Sequence, residues 1–139
     1  MASDATDRQY HLDVAPGDVA DTVLLPGDPE RVSLITERWD DAETVAEHRE
    51  YRTATGTYEG APLSVTSTGI GSPSAAIAVE ELARVGAETF LRVGSCGALQ
   101  PEMDVGDLVI TTGAVRGTTP SSRRSSPPPS ASVTTTTAA

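Results

Sequence analysis

Thr89-Phe90-Leu91-Arg92-Val93-Gly94-Ser95-Cys96-Gly97-Ala98-Leu99 is the stretch on which the reading of this chain turns. Phe90, Leu91 and Val93 form a short apolar run of the kind that makes a buried strand. Gly94 and Gly97 punctuate it, so the strand is expected to run out into a tight, exposed loop. Arg92 is out of place in such a run, because an unpaired guanidinium inside an apolar strand is costly. Two readings follow. Either Arg92 and the backbone N–H groups of the Gly-Ser-Cys-Gly loop meet a phosphate-sized anion at the strand end, or Arg92 snorkels to solvent from a strand edge.

Working outward from there, strands and helices alternate. Upstream, Leu63 to Thr66 reads as a strand leading into Thr68-Gly69-Ile70-Gly71, and Ser72-Pro73 starts a helix that runs to Val85. Ala75, Val79, Leu82 and Ala83 line one face of it, and Gly86 closes it. Further back, Thr22 to Leu25 is a short apolar strand followed by Pro26-Gly27-Asp28-Pro29-Glu30-Arg31. Asp28 suits an N-cap and Pro29 a first helical residue, after which Val32, Ile35 and Trp39 form one buried stripe. A strand, a glycine turn and a helix start with Arg31 in its first turn suit an anion; the alternative is a capped helix whose Arg31 faces water. Val45 to Tyr51 reads Val-Ala-Glu-His-Arg-Glu-Tyr, Thr53 to Tyr58 alternates in a strand-like way up to Gly60, and His48-Arg49-Glu50 reads as a solvated charged cluster on a hairpin. Residues 1–10 are polar and expected to be loose, and His11 lies in a short strand or extended arm, either solvated or satisfied in the core. Downstream, a turn at Pro101 precedes a last strand over Asp107–Ala114. The alternation predicts an α/β domain around a central sheet.

Composition narrows the partners. Twenty Asp and Glu stand against 10 Arg, with no Lys, for a formal net charge of -10. That balance disfavours nucleic acid and anionic membrane surfaces and fits a halophilic protein kept soluble by carboxylates. The 139 residues are enough for one modest domain. Cys96 is the only cysteine, so no internal disulfide forms, as suits a cytoplasmic protein. No apolar signal core opens the chain and no run is long enough to span a bilayer. From Gly117 the text changes to Ser, Pro, Arg and Thr without any Asp or Glu. A stretch of that composition cannot build a core, and 117–139 is expected to be disordered.

Taken together and in order, these motifs resemble the nucleoside phosphorylase family that includes uridine phosphorylase and hexameric purine nucleoside phosphorylase. The matching segments are His11-Leu12, Leu25 to Arg31, His48-Arg49-Glu50, Ser67 to Ser74, Glu80-Glu81-Leu82 and Leu91 to Ala98. Gly-Ser-Cys-Gly-Ala looks like the purine branch, whereas Thr68-Gly69-Ile70-Gly71 and Ile77 to Leu82 look like uridine phosphorylase. The resemblance implies a three-layer α/β/α sandwich with a central mixed sheet. It implies phosphate-dependent cleavage of a nucleoside to base and ribose 1-phosphate, uridine first and purine nucleosides second. It places Gly27, Arg31, Arg92 and Ser95 at phosphate, with Arg49 reaching a neighbouring subunit's phosphate and His11 a neighbour's ribose, so that a homo-oligomer (a hexamer built from dimers) shares its sites. It implies no cofactor beyond phosphate as co-substrate, and a potassium-type monovalent cation at Glu50, Ile70 and Ser74. It assigns no catalytic acid or base. Planar Arg forks and backbone amides are a natural clamp for a dianion.

The resemblance covers residues 1–116, the N-terminal half of such a domain. The family's second half, with its base-recognition groups and acidic ribose-binding pair, has no counterpart, and a reading-frame shift near Arg116 would generate the Ser/Pro/Thr-rich remainder. A truncated chain without activity of its own, docking onto full-length subunits, is the competing expectation.

Overall fold

A computed structural model describes residues 7–113. The boundary at Arg116 and the tail 117–139 lie outside these residues, as does Ala114. Five strands form one sheet: β1 (Thr22–Leu25), β2 (Asp41–His48), β3 (Tyr51–Tyr58), β4 (Ala61–Thr66) and β5 (Thr89–Arg92). Two helices accompany them, α1 (Glu30–Thr36) and α2 (Ser72–Arg84). The order across the sheet is β2-β3-β4-β1-β5. β2, β3 and β4 run antiparallel in sequence, while β4, β1 and β5 are parallel. The sheet is therefore mixed. Tight turns at Arg49-Glu50 and Glu59-Gly60 join the antiparallel strands, with Arg49, Glu59 and Gly60 at positive φ, as two-residue hairpins of right-handed twist demand.

Strand periodicity divides the core into two. On β1, Val23 and Leu25 face α2 and join Leu12, Val14, Tyr51, Ala78, Leu82, Val85 and Phe90. Leu24 points the other way, with Val32 and Ile35 of α1, Ala54, Val65 and Trp39. A helix on each face gives the three layers expected. Each large side chain buried this way contributes about 1.5–3 kcal/mol. The sheet also buries Thr53, Ser64 and Thr66, all but inaccessible to water. Thr53 and Thr66 satisfy each other at 3.0 Å, and Ser64 Oγ bonds Thr55 Oγ1 at 2.7 Å and accepts the Ala20 N–H at 2.8 Å. Hydrogen bonds so made offset the cost of taking these hydroxyls out of water.

Local details depart from the sequence expectations. The N-cap of α1 is Pro29 rather than Asp28, although the Asp28 carboxylate still accepts the Glu30 N–H at 2.9 Å. α1 ends at Thr36, so Trp39 reaches its core from the turn that follows. Gly71, not Ser72, caps α2 and puts Pro73 in the first turn. His11 lies in a turn, not an extended arm, and Arg8 pairs with Asp13 at 2.9 Å, so residues 8–13 are tied down. The largest correction concerns 107–113, which form no strand. The expected turn at Pro101 is present, with the Met103 N–H on Gln100 O. Val105, Leu108 and Ile110 nevertheless stay exposed, at 84%, 60% and 64%. β5 is the sheet's edge among the described residues, and an apolar run becomes a strand only where a neighbour supplies pairing and a covered face.

Gly56 shows how closely β2 and β3 approach. A Cβ there would stand 2.0 Å from the Asp41 carbonyl oxygen and 2.8 Å from Ala42 Cα, both backbone. Neither can move without parting the strands. Gly56→Ala is expected to destabilise the chain by about 3 kcal/mol or more and to lower its thermal midpoint by more than about 10 °C. A melting curve within a few degrees of the parent would show that the hairpin absorbs the methyl group.

Candidate functional site

The carboxyl ends of the three parallel strands lie side by side, the position at which open α/β sheets bind ligands. Their outgoing loops are stitched together. The Thr68 N–H donates to Pro26 O and the Gly69 N–H to Gly27 O, each at 2.9 Å, and the Val93 N–H donates to Leu25 O at 3.2 Å. Leu25 is also the register partner of Arg92. Arg92 does not run out to solvent. Its Nη1 donates to Leu25 O at 2.8 Å and to Val93 O, folding the guanidinium back over the strand ends.

Two glycines make room for it. A Cβ on Gly27 would stand 3.3 Å from Arg92 Nη2, and one on Gly94 would stand 3.2 Å from Nη1. The planar group is thus held between the loop after β1 and the loop after β5. Burial, and then the charge of nearby Arg31, both push Arg92 below the usual arginine value. Among the described residues, no carboxylate pairs with either arginine. Two neighbouring cations, one of them half-buried and fixed by neutral carbonyls, create an electrostatic need that an anion would meet.

The other expected residues form two further clusters. Glu50, in the β2–β3 turn, accepts from Ser74 Oγ at 3.1 Å; the same hydroxyl lies within bonding distance of Thr68 O. Tyr51 OH donates to Ser74 O at 3.1 Å. The cluster sits hard against Gly69, whose φ is +68° and where a Cβ would stand 2.6 Å from Glu50 Cγ. Glu50's own backbone N–H, then Ser74, hold its carboxyl below the ordinary carboxylate value, whereas burial raises the Tyr51 phenol. His11 lies elsewhere: its Nδ1 is 2.6 Å from Glu81 Oε1, and its carbonyl accepts from His48 Nδ1 at 2.9 Å.

Gly27, Arg31 and Arg92 therefore come together, and Glu50 meets Ser74. Ser95 and Arg49 are exposed, and neither side chain makes a hydrogen bond or ion pair among the described residues. The Ile70 side chain is fully exposed, so only its main chain could serve an ion. Sequence reasoning missed Gly94 as the second wall of the Arg92 pocket, and Glu81 as the partner of His11. The second had a signal: Glu81 stands three residues after Ala78 and beside Leu82 on the inward face of α2, where an acidic residue is unusual. Among the described residues no helix is long and apolar enough to cross a membrane, and no group of His, Cys, Asp and Glu could hold a metal ion.

Known proteins are similar to this chain in sequence and fold. A uridine phosphorylase of Thermococcus kodakarensis is 65% identical over 108 residues, 78% of this chain and 39% of that protein. A guanosine phosphorylase of Halorubrum lacusprofundi is 57% identical over 109 residues, 78% of this chain and 45% of that protein. The crystal structure of uridine phosphorylase from Vibrio fischeri superposes with a TM-score of 0.72 at 44% identity, covering 78% of this chain and 44% of that one. The chain thus spans less than half the length of these relatives. Residues 21–138 match the phosphorylase superfamily as a family, and with the fold in agreement, the chain belongs to that superfamily.

Proposed function

We propose that this chain supplies the phosphate-binding part of a nucleoside phosphorylase that cleaves uridine to uracil and ribose 1-phosphate. The observation that carries the reading is Arg92, clamped between Gly27 and Gly94 beside Arg31, with no carboxylate among the described residues pairing with either charge. Phosphate bound there would be oriented toward the anomeric carbon while the base departs. The arginine pair would offset negative charge in a fixed geometry, the kind of contribution that positioning and preorganised electrostatics make. Ser95, three residues beyond Arg92, would add its hydroxyl. Arg49 and His11 would serve the site of a neighbouring subunit in a homo-oligomer, which accords with the exposure of Arg49.

Glu50 and Ser74 suit a monovalent cation on chemical grounds. One serine proton cannot satisfy both Thr68 O and Glu50 Oε1, so oxygen lone pairs remain for an ion. The Ile70 carbonyl would complete the set, and the ion would neutralise the Glu50 carboxylate.

Guanosine is the second reading, favoured by the 57% identity to the Halorubrum enzyme. The phosphate-binding role common to both readings is tested by joining this chain, at the end of the stretch it shares with these relatives, to the remaining part of the Thermococcus uridine phosphorylase, and separately to that of the Halorubrum guanosine phosphorylase. Phosphate-dependent release of base from either hybrid is expected. Hybrids that fold but need no phosphate, or turn over no nucleoside, would overturn the assignment.

A further inference from the structure

Glu81 is only 5% exposed, on the face of α2 that packs against the sheet. A glutamate is almost never buried so deeply without partners. Among the described residues no Arg pairs with it, and this chain has no Lys. Its donors all come from one dipeptide some 70 residues away. It accepts the His11 N–H at 3.1 Å, the Leu12 N–H at 2.9 Å and His11 Nδ1 at 2.6 Å. Both of its oxygens are occupied as acceptors, so the proton in the ring contact belongs to Nδ1.

That fixes the imidazole. In a neutral ring whose Nδ1 carries the proton, Nε2 is an acceptor. Nε2 has no polar partner among the described residues, and the side chain is about a third exposed, at 32%. Rotation is hindered as well. Tyr10 stands edge-on to the ring at 4.9 Å, and His48 Nδ1 donates to the His11 carbonyl at 2.9 Å. The backbone of His11 is thereby held from α2 and from β2 at once.

We propose that Glu81 is a positioning residue that locks His11 in the Nδ1–H form and presents Nε2 outward as a hydrogen-bond acceptor. Resting on the phosphorylase reading, this leaves His11 ready to accept from a sugar hydroxyl, which has a proton to donate. A carboxylate orienting a histidine through its far nitrogen is the arrangement that fixes tautomers at metal and catalytic sites.

The test is the imidazole nitrogen spectrum of the 15N-labelled 139-residue chain near neutral pH. His11 is expected with a protonated Nδ1 and an unprotonated Nε2, the reverse of the form that free imidazole side chains favour. In Glu81→Gln the amide can no longer accept from all three donors, and His11 is expected to revert to a mixture dominated by Nε2–H. A parent spectrum with Nε2–H, or with tautomers averaged as in a free side chain, overturns the proposal. So does a Glu81→Gln spectrum that keeps the Nδ1–H form. Because the readout needs no turnover, the uridine assay can fail while this result stands, and the reverse.

Discussion

A polypeptide of only these 139 residues, given phosphate with uridine or guanosine, is expected to release no base above the uncatalysed background. It carries the arginine pair, yet it spans 39% of the Thermococcus relative and 45% of the Halorubrum one. Nothing among the described residues builds a pocket for a base over the Arg92 loop, where 94–113 form neither helix nor strand. Holding a nucleoside in line with phosphate can be worth about 7–11 kcal/mol through proximity and orientation. That contribution is what the chain lacks by itself and what the hybrid with the rest of the Thermococcus enzyme is expected to restore. The edge that β5 forms among the described residues, together with the exposed Leu108 and Ile110 further along the chain, should also favour self-association over a monomer. Base release by the chain alone at a rate near the hybrid's would overturn this expectation and would place nucleoside binding within residues already described.

The parts legible in the sequence are those whose determinants are local. β1 and its following turn could be read because Thr22 to Leu25 alternates toward two cores and Pro26-Gly27 must end it. The inward face of α2 could be read because Leu82 and its neighbours recur at helical spacing and Gly86, at φ +112°, ends the helix. The expected last strand failed over 107–113 for the complementary reason. Its apolar pattern satisfies a strand, but a strand exists through its partners, and β5 offers it none among the described residues. Patterning states what a segment could bury, not whether a surface is there to bury it.

The site divides the same way. Arg92 announced itself by being a charge in an apolar run, and Gly27 by its place in the turn. The role of Gly94 could not be read, since a glycine after a strand looks the same whether it bounds a turn or makes room for a guanidinium. Glu81 was hidden among other acidic residues on a chain that has twenty of them. Only its burial, and three donors from a segment 70 residues away, distinguish it from Glu80, which is 43% exposed at its side chain. Contacts of that sequence separation are set by the assembled fold.

Replacing Arg92 with Ala in the hybrid is expected to raise the KM for phosphate about 10- to 100-fold, as loss of one or two charge-assisted hydrogen bonds does, and to leave the KM for nucleoside within about threefold. The asymmetry follows from what Arg92 touches, strand-end carbonyls and two glycines, with the Arg31 charge near enough to be felt. Folding should survive the change, because the variant relieves repulsion between two cations while losing bonds to two carbonyls; the thermal midpoint is expected to stay within a few degrees. Arg92→Lys should recover only part of the phosphate affinity, since an ammonium is a point charge and the slot between Gly27 and Gly94 is shaped for a planar fork. Gly27→Ala supplies an independent check on the same geometry. Its new methyl would stand 3.3 Å from Nη2, near enough to displace the guanidinium. It should therefore move the phosphate KM in the same direction with every charge still present. Equal weakening of both substrates in Arg92→Ala would remove Arg92 from the phosphate site. A phosphate KM unchanged in Gly27→Ala would mean instead that the guanidinium can shift without losing its ligand, so that charge alone, and not the glycine-walled position, does the binding.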